Sequence, residues 1–133
     1  MTPNLDEASL LSGRPVSSPG EAEEAARALK ALGPDVVVTG GHFPDRCVDV
    51  LCDGGGVHRF PAGRLETPFT HGSGCVFSSA LAASLGLGMG LHAAVARAGE
   101  TAREALRLGY ALGPATGVVN PLGGCLKDHT DTP

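Results

Sequence analysis

The chain has 133 residues, 42% of them apolar and 18% charged, which is typical of one soluble globular domain and argues against a disordered protein. The net charge of -4 argues against a nucleic-acid partner, which normally requires clustered lysine and arginine. Because the four cysteines form no CxxC pair, we expect reduced thiols and a cytoplasmic protein. The N-terminus lacks a basic region and residues 76–91 contain serine and glycine, so we expect no signal peptide and no membrane contact.

The first third of the chain predicts two helices. Residues 5–11 follow Asn4, a suitable N-cap, and the break at residues 12–15 ends this first helix. Ser17 or Ser18 begins the second helix, and Gly33 with Pro34 ends it. Its predicted apolar face consists of Ala22, Ala25, Leu29 and Leu32.

A sheet is predicted next. The β-branched run 36–39 is typical of a buried strand in an α/β sheet, and Gly40, Gly41 and His42 follow its carboxyl end, where such sheets usually bind ligands. Residues 48–51 and 57–60 flank an Asp-Gly-Gly-Gly turn and predict a β-hairpin whose glycines supply positive φ angles.

The remainder predicts two long helices. One runs from about Gly74 to Leu87 and is expected to be buried, and the other runs from about Leu91 to Leu108. The second carries an apolar stripe of Leu91, Val95, Ala98, Ala102, Ala105 and Leu106. We therefore expect one α/β domain over residues 1–122, with a partly parallel sheet and helices on its faces, and a flexible tail over residues 123–133.

The strongest local signal is the sequence Gly72-Ser73-Gly74-Cys75 leading directly into an apolar helix. Small residues allow a ligand to approach the backbone, and the first N–H groups of a helix have no partner within it. Together with the helix dipole, they suit an anion such as a phosphoryl group. The alternative is an ordinary glycine-rich helix cap, which is about equally common for such a turn.

Two other sets of residues carry groups that could do chemistry. Cys75 stands where a helix N-terminus favours the thiolate, so it is either a base or a small packing residue. Asn4 and Glu7 place an amide and a carboxylate three residues apart, which by itself indicates a helix cap. The five histidines show no metal-ligand spacing, so a structural zinc site is not expected.

Three segments in this order, residues 2–8 (TPNLDEA), 36–42 (VVVTGGH) and 70–75 (THGSGC), resemble the C-terminal half of hydroxymethylpyrimidine/phosphomethylpyrimidine kinases. Those enzymes belong to the ribokinase-like superfamily and act in thiamine biosynthesis. Residues 117–120 (GVVN) resemble the family's closing segment. The resemblance implies a partial ribokinase-like three-layer α/β/α fold with a small β-hairpin.

The resemblance also implies site roles. Residues 72–74 (Gly72, Ser73, Gly74) would form an anion hole over the ATP γ-phosphate, with Cys75 as the catalytic base. Thr39, where many relatives have lysine, and Gly40 would contact the nucleotide. Asn4 and Glu7 would help to place Mg²⁺. The implied reaction is transfer of the ATP γ-phosphoryl group to 4-amino-5-hydroxymethyl-2-methylpyrimidine or its phosphate.

Full members of the resembled family are about twice as long, and their N-terminal half carries most of the pyrimidine pocket. Three alternatives therefore stay open at this point: a pyrimidine kinase, active or inactive as a fragment, a pyridoxal kinase-like enzyme, and a catalytically silent domain that binds a nucleotide or a partner. A homo-oligomer and a complementary N-terminal half are both compatible with the sequence.

Overall fold

The computed structural model describes residues 1–41, 43, 46–114 and 117–123, and these form two compact units, Met1–Arg64 and Leu65–Pro133. His42 and residues 124–133, which include most of the expected tail, lie outside the described residues. Whether residues 1–122 act as one domain stays a prediction. No described helix is both long and apolar enough to span a bilayer.

The first unit begins with the two predicted helices, α1 (Leu5–Ser12) and α2 (Pro19–Lys30). Asn4 and Ser18 cap them through side-chain oxygens, and Gly13 ends α1 in the left-handed conformation. The prediction for Leu32 is wrong, since this residue is 74% exposed. The cause is that α2 stops at Lys30, so Leu32 lies in the following turn and not on the helical face.

Three antiparallel strands follow, in the order β1 (Val36–Val38), β2 (Cys47–Asp53) and β3 (Gly56–Ala62). Residues 1–4 run alongside β1, and Asn4 forms a parallel bridge with Thr39. The N–H groups of Val37 and Thr39 donate to the carbonyls of Met1 and Pro3, both at 2.9 Å. The three strands therefore pair antiparallel throughout, and the predicted parallel pairing is limited to this bridge beside β1.

The core of the first unit lies between the sheet and the two helices. One face of the sheet presents Val36, Val38, Val50 and Cys52 to α1 and α2, and these side chains are at most 4% exposed. The same cluster contains Ala22, Ala25, Ala26 and Leu29 of α2. Alternation along β2 turns Asp49 and Leu51 to the opposite face of the sheet.

The predicted hairpin is present, but its turn differs from the prediction in one respect. Asp53 pairs with Gly56, and only Gly56 among the turn glycines has a positive φ, 127°. The carboxylate of Asp53 accepts the Gly55 N–H at 2.8 Å and shapes the turn instead.

The second unit contains α3 (Ser73–Gly86), α4 (Leu91–Arg107) and a two-stranded ribbon of β4 (Tyr110–Ala111) and β5 (Gly117–Val118). The buried stripe of α4 includes four of the predicted residues, Val95, Ala98, Ala102 and Ala105. The expectation of a buried α3 is only partly correct. It buries Phe77, Leu81 and Ser84, while Leu85 is 42% exposed, because α4 is the one described element that packs extensively against it.

Candidate functional site

The N-terminus of α3 has the geometry of an anion site. Its N-cap is Gly72, at φ 92°, and no side chain caps the helix. The Ser73 N–H donates to the Thr70 carbonyl at 3.3 Å and the Val76 N–H to Gly72 at 3.0 Å. Between them, the N–H groups of Gly74 and Cys75 have no hydrogen-bond partner among the described residues. Two donors at the positive end of a helix are thus available to a ligand.

A segment distant in the sequence fixes the loop before α3. Val118 forms a parallel bridge with His71, and the Val119 N–H donates to the His71 carbonyl at 3.1 Å. A Cβ placed on Gly117 would overlap the ring of Phe69, so this glycine makes room for the loop. The closing segment at 117–120 therefore supports the candidate anion site from one side.

Cys75 is the third residue of α3 and is exposed. Because it is exposed, Cys75 does not fill space in a buried core, which was the alternative to a chemical role. Gly74 is also open, since a Cβ there would meet no atom within 4 Å. Packing within the described part of the chain therefore explains neither the glycine at position 74 nor the cysteine at position 75.

A second cluster lies in the first unit, where the parallel bridge brings Asn4 beside Thr39. Thr39 is half-buried at the end of β1, and its hydroxyl lies 3.5 Å from the Pro3 carbonyl. Gly40 follows and is buried. The structure thus brings together four of the predicted site residues, Asn4, Glu7, Thr39 and Gly40, and places residues 72–75 in the second unit.

The Asn4 and Glu7 side chains form a reciprocal capping box. The Asn4 Oδ1 accepts the Glu7 N–H and the Glu7 Oε2 accepts the Asn4 N–H, both at 2.9 Å. One oxygen of the exposed Glu7 carboxylate is not used by this box. Because Mg²⁺ keeps most of its waters and takes one or two carboxylates, this donor set fits a water-mediated ion.

Asp49 is a residue of this cluster that the sequence analysis missed. Its Oδ1 accepts the Gly40 N–H at 2.8 Å. Burial raises the pKa of this carboxyl group, and the hydrogen bond from Gly40 partly opposes that rise. An aspartate flanked by valines within the strand is the signal that could have indicated it, but its hydrogen-bond partner is evident only once the strands are paired.

Comparison with solved structures defines the class of fold. The chain matches Bacillus subtilis pyridoxal kinase, solved as an ADP complex, with a TM-score of 0.88 and 36% identity over 94% of this chain and 48% of that one. It matches the Staphylococcus aureus pyridoxal kinase in complex with AMP-PCP with a TM-score of 0.85 and 29% identity, over 90% of this chain and 45% of that one. The fold is therefore a partial ribokinase-like α/β fold, as expected.

Sequence comparison gives the family. Residues 1–120 match the phosphomethylpyrimidine kinase family, and the chain belongs to it. It is 39% identical to the hydroxymethylpyrimidine/phosphomethylpyrimidine kinase of Streptomyces coelicolor, over 90% of this chain and 45% of the relative. It is 43% identical to a thiamine biosynthesis bifunctional protein of Geobacter sulfurreducens, over 90% of this chain and 25% of the relative. The chain spans half or less of the length of these relatives.

Proposed function

We propose that this chain is the phosphate-handling part of an ATP-dependent kinase that phosphorylates 4-amino-5-hydroxymethyl-2-methylpyrimidine or its phosphate in thiamine biosynthesis. Family membership supports the reaction. The observation that carries the site is the pair of unpartnered N–H groups on Gly74 and Cys75 at the start of α3. Donors at a helix N-terminus suit the negative charge of a transferring phosphoryl group.

The backbone of residues 72–75 would hold the γ-phosphate. In the reaction, the acceptor hydroxyl oxygen forms a bond to the γ-phosphorus while the bond from phosphorus to the bridging β–γ oxygen breaks, and ADP leaves with that electron pair. The N–H groups stabilise charge on the equatorial oxygens. Since they are fixed by the helix, they need no reorganisation during transfer.

Cys75 would take the proton of the acceptor hydroxyl as the new O–P bond forms. Its exposure at the helix N-terminus supports this role, because the sulfur is open to a bound acceptor. The proton passes from the acceptor oxygen to the Sγ thiolate.

The residues of the first unit would serve the nucleotide and its ion. Thr39 and Gly40 lie at the carboxyl end of β1, where ligands bind in open α/β sheets. Glu7, with Asn4, would hold the waters of Mg²⁺ through the carboxylate oxygen outside the capping box. A bound Mg²⁺ would neutralise charge on the ATP phosphates.

The acceptor pocket would be completed by further polypeptide. The chain covers 45% of the Streptomyces coelicolor relative, and α3 leaves apolar surface exposed that such polypeptide could cover. Either a complementary N-terminal half or a second copy of this chain would supply this further polypeptide. A cytoplasmic setting fits the free thiols of Cys47, Cys52 and Cys75.

A pyridoxal kinase is the second candidate, because the matched solved structures are pyridoxal kinases. Two chimeras separate the candidates. In one, residues 1–120 replace the matching segment of the Streptomyces coelicolor kinase, and in the other they replace that of Bacillus subtilis pyridoxal kinase. ATP-dependent phosphorylation of the parent's own acceptor is then measured.

The proposal predicts that the pyrimidine kinase chimera retains the larger fraction of its parent's kcat/KM. Greater retention by the pyridoxal kinase chimera would favour the second candidate. If both chimeras fold but neither transfers phosphate, the result would favour a catalytically silent domain.

A further inference from the structure

We infer that Asp49 is a positioning residue for nucleotide binding, which acts by holding the Gly40 backbone at the end of β1. The inference rests on the proposed function, which places Thr39 and Gly40 at the nucleotide. It adds a residue that lies outside the predicted site and touches neither phosphate nor metal in the proposed arrangement.

The backbone at Gly40 departs from regular strand pairing. The register of β1 with β2 ends at the pair Val38 and Val50, which would place Gly40 opposite Val48. The Val48 N–H donates to the Gly40 carbonyl over a long 3.4 Å. A Cβ on Gly40 would overlap the Val48 carbonyl oxygen, so that oxygen faces the Gly40 Cα and not its N–H. The N–H of this buried residue therefore needs another acceptor.

Asp49 supplies the acceptor from the neighbouring strand. Its Oδ1 lies 2.8 Å from the Gly40 nitrogen, and it stands opposite Phe60 of β3 in the sheet register. Burial of a carboxylate raises the free energy of the folded state unless the carboxylate makes a hydrogen bond. Its bond to Gly40 fixes the direction in which the chain leaves β1, and with it the position of Thr39.

A matched control exists on the same strand. Asp53 also accepts a glycine N–H through Oδ1, that of Gly55, at 2.8 Å. That bond shapes the hairpin turn, at the other end of β2 from Gly40. Asp53→Ala therefore removes a hydrogen bond of the same kind and length, together with the contact of this oxygen with His58 Nε2 at 3.4 Å, away from the proposed nucleotide residues.

The test is calorimetric titration of the whole chain with MgADP, for wild type, Asp49→Ala, Asp49→Asn and Asp53→Ala. Leaving a buried donor without an acceptor should weaken binding about tenfold in Asp49→Ala. Asp49→Asn keeps an oxygen acceptor and should stay within about threefold of wild type, as should Asp53→Ala. The amide proton resonance of Gly40, in a two-dimensional NMR spectrum, should move in Asp49→Ala and remain close to its wild-type position in Asp53→Ala.

Unchanged affinity in Asp49→Ala would overturn the inference. So would an equal loss in Asp53→Ala, which would indicate general destabilisation, or an equal loss in Asp49→Asn, which would show that hydrogen-bond acceptance is not the cause. Absence of MgADP binding by the wild-type chain is a different result. It would count against the proposed nucleotide site itself, and the positioning role of Asp49 would be withdrawn with it.

Discussion

Val119 lies directly against Gly72, the N-cap of α3. A Cβ on Gly72 would come within 3.3 Å of the Val119 Cγ2, and the Val119 N–H donates to the carbonyl of His71, the residue before Gly72. Residues 117–120 thus shape the start of α3, although this segment lies more than forty residues after Ser73, the first residue of the helix. Glycine at this position is favoured by its φ of 92°, and the close approach of Val119 leaves little room for a side chain.

Gly72→Ala should therefore destabilise the fold, whereas Gly74→Ala should not. The left-handed backbone costs an alanine about 1–2 kcal/mol, and the close approach of Val119 adds to it. Gly74 is helical and open, so alanine there should be neutral or stabilising by up to ~1 kcal/mol. Urea unfolding followed by circular dichroism measures both, and equal stabilities for the two variants would contradict this account of the turn.

The core of the first unit should depend on Leu29 and not on Leu32. Leu29 is 2% exposed within the cluster between sheet and helices, and Leu32 is 74% exposed. Leu29→Ala should lower the free energy of unfolding by about 2–5 kcal/mol. Leu32→Ala should change it by less than about 0.5 kcal/mol. A comparable loss in both variants would show that Leu32 packs in solution.

The carboxyl group of Asp49 should make stability fall as pH rises. Burial raises its folded-state pKa, so between the ordinary value of 3.8 and the raised value the folded state binds more protons than the unfolded state. Its contribution is thus fully present below 3.8 and is lost as pH rises through the folded pKa. Asp49→Asn cannot titrate and should gain stability relative to wild type over that window. Urea unfolding at several pH values gives the free energy of unfolding of wild type and of Asp49→Asn as a function of pH. The two curves would run parallel if Asp49 did not cause the pH dependence.

Cys75 can be tested in the chimera with the Streptomyces coelicolor kinase. If its thiolate takes the acceptor proton, Cys75→Ala should reduce kcat by a factor in the range of general-base assistance, ~10²–10⁴. The KM for ATP should change little, because the backbone N–H groups remain. Cys75→Asp restores a base and should retain more activity than alanine. Full kcat in Cys75→Ala would remove the base assignment and leave the anion hole in place.

Local signals in the sequence predicted most of the secondary structure correctly. Asn4 and Ser18 were predicted as candidate N-caps because a short polar side chain can accept a hydrogen bond from an N–H group of the first helical turn. Both caps are present. The hairpin follows from a glycine-rich turn flanked by residues 48–51 and 57–60. The family resemblance, carried by residues 2–8, 36–42 and 70–75 in this order, correctly indicated the fold class.

The contacts that support the candidate site could not be predicted in this way. The hydrogen bond from Gly40 to Asp49 depends on how β1 and β2 pair. The contact of Val119 with Gly72 depends on a segment that lies far along the chain. The exposure of Leu85 on α3 was also missed, because an apolar helix sequence does not indicate which neighbouring elements will cover it. The roles of residues 72–75 stay predictions.

Calorimetric titration of the chain with MgADP and with the ATP analogue AMP-PCP tests the central claim, that the N-terminus of α3 binds nucleotide phosphate. Gly74→Val and Gly86→Val are the matched variants, since both glycines lie in α3 and an added Cβ meets no atom within 4 Å at either. The account predicts that wild type and Gly86→Val bind AMP-PCP with similar affinity and that Gly74→Val loses this binding while its fold is retained. Binding that is the same in all three proteins would contradict it.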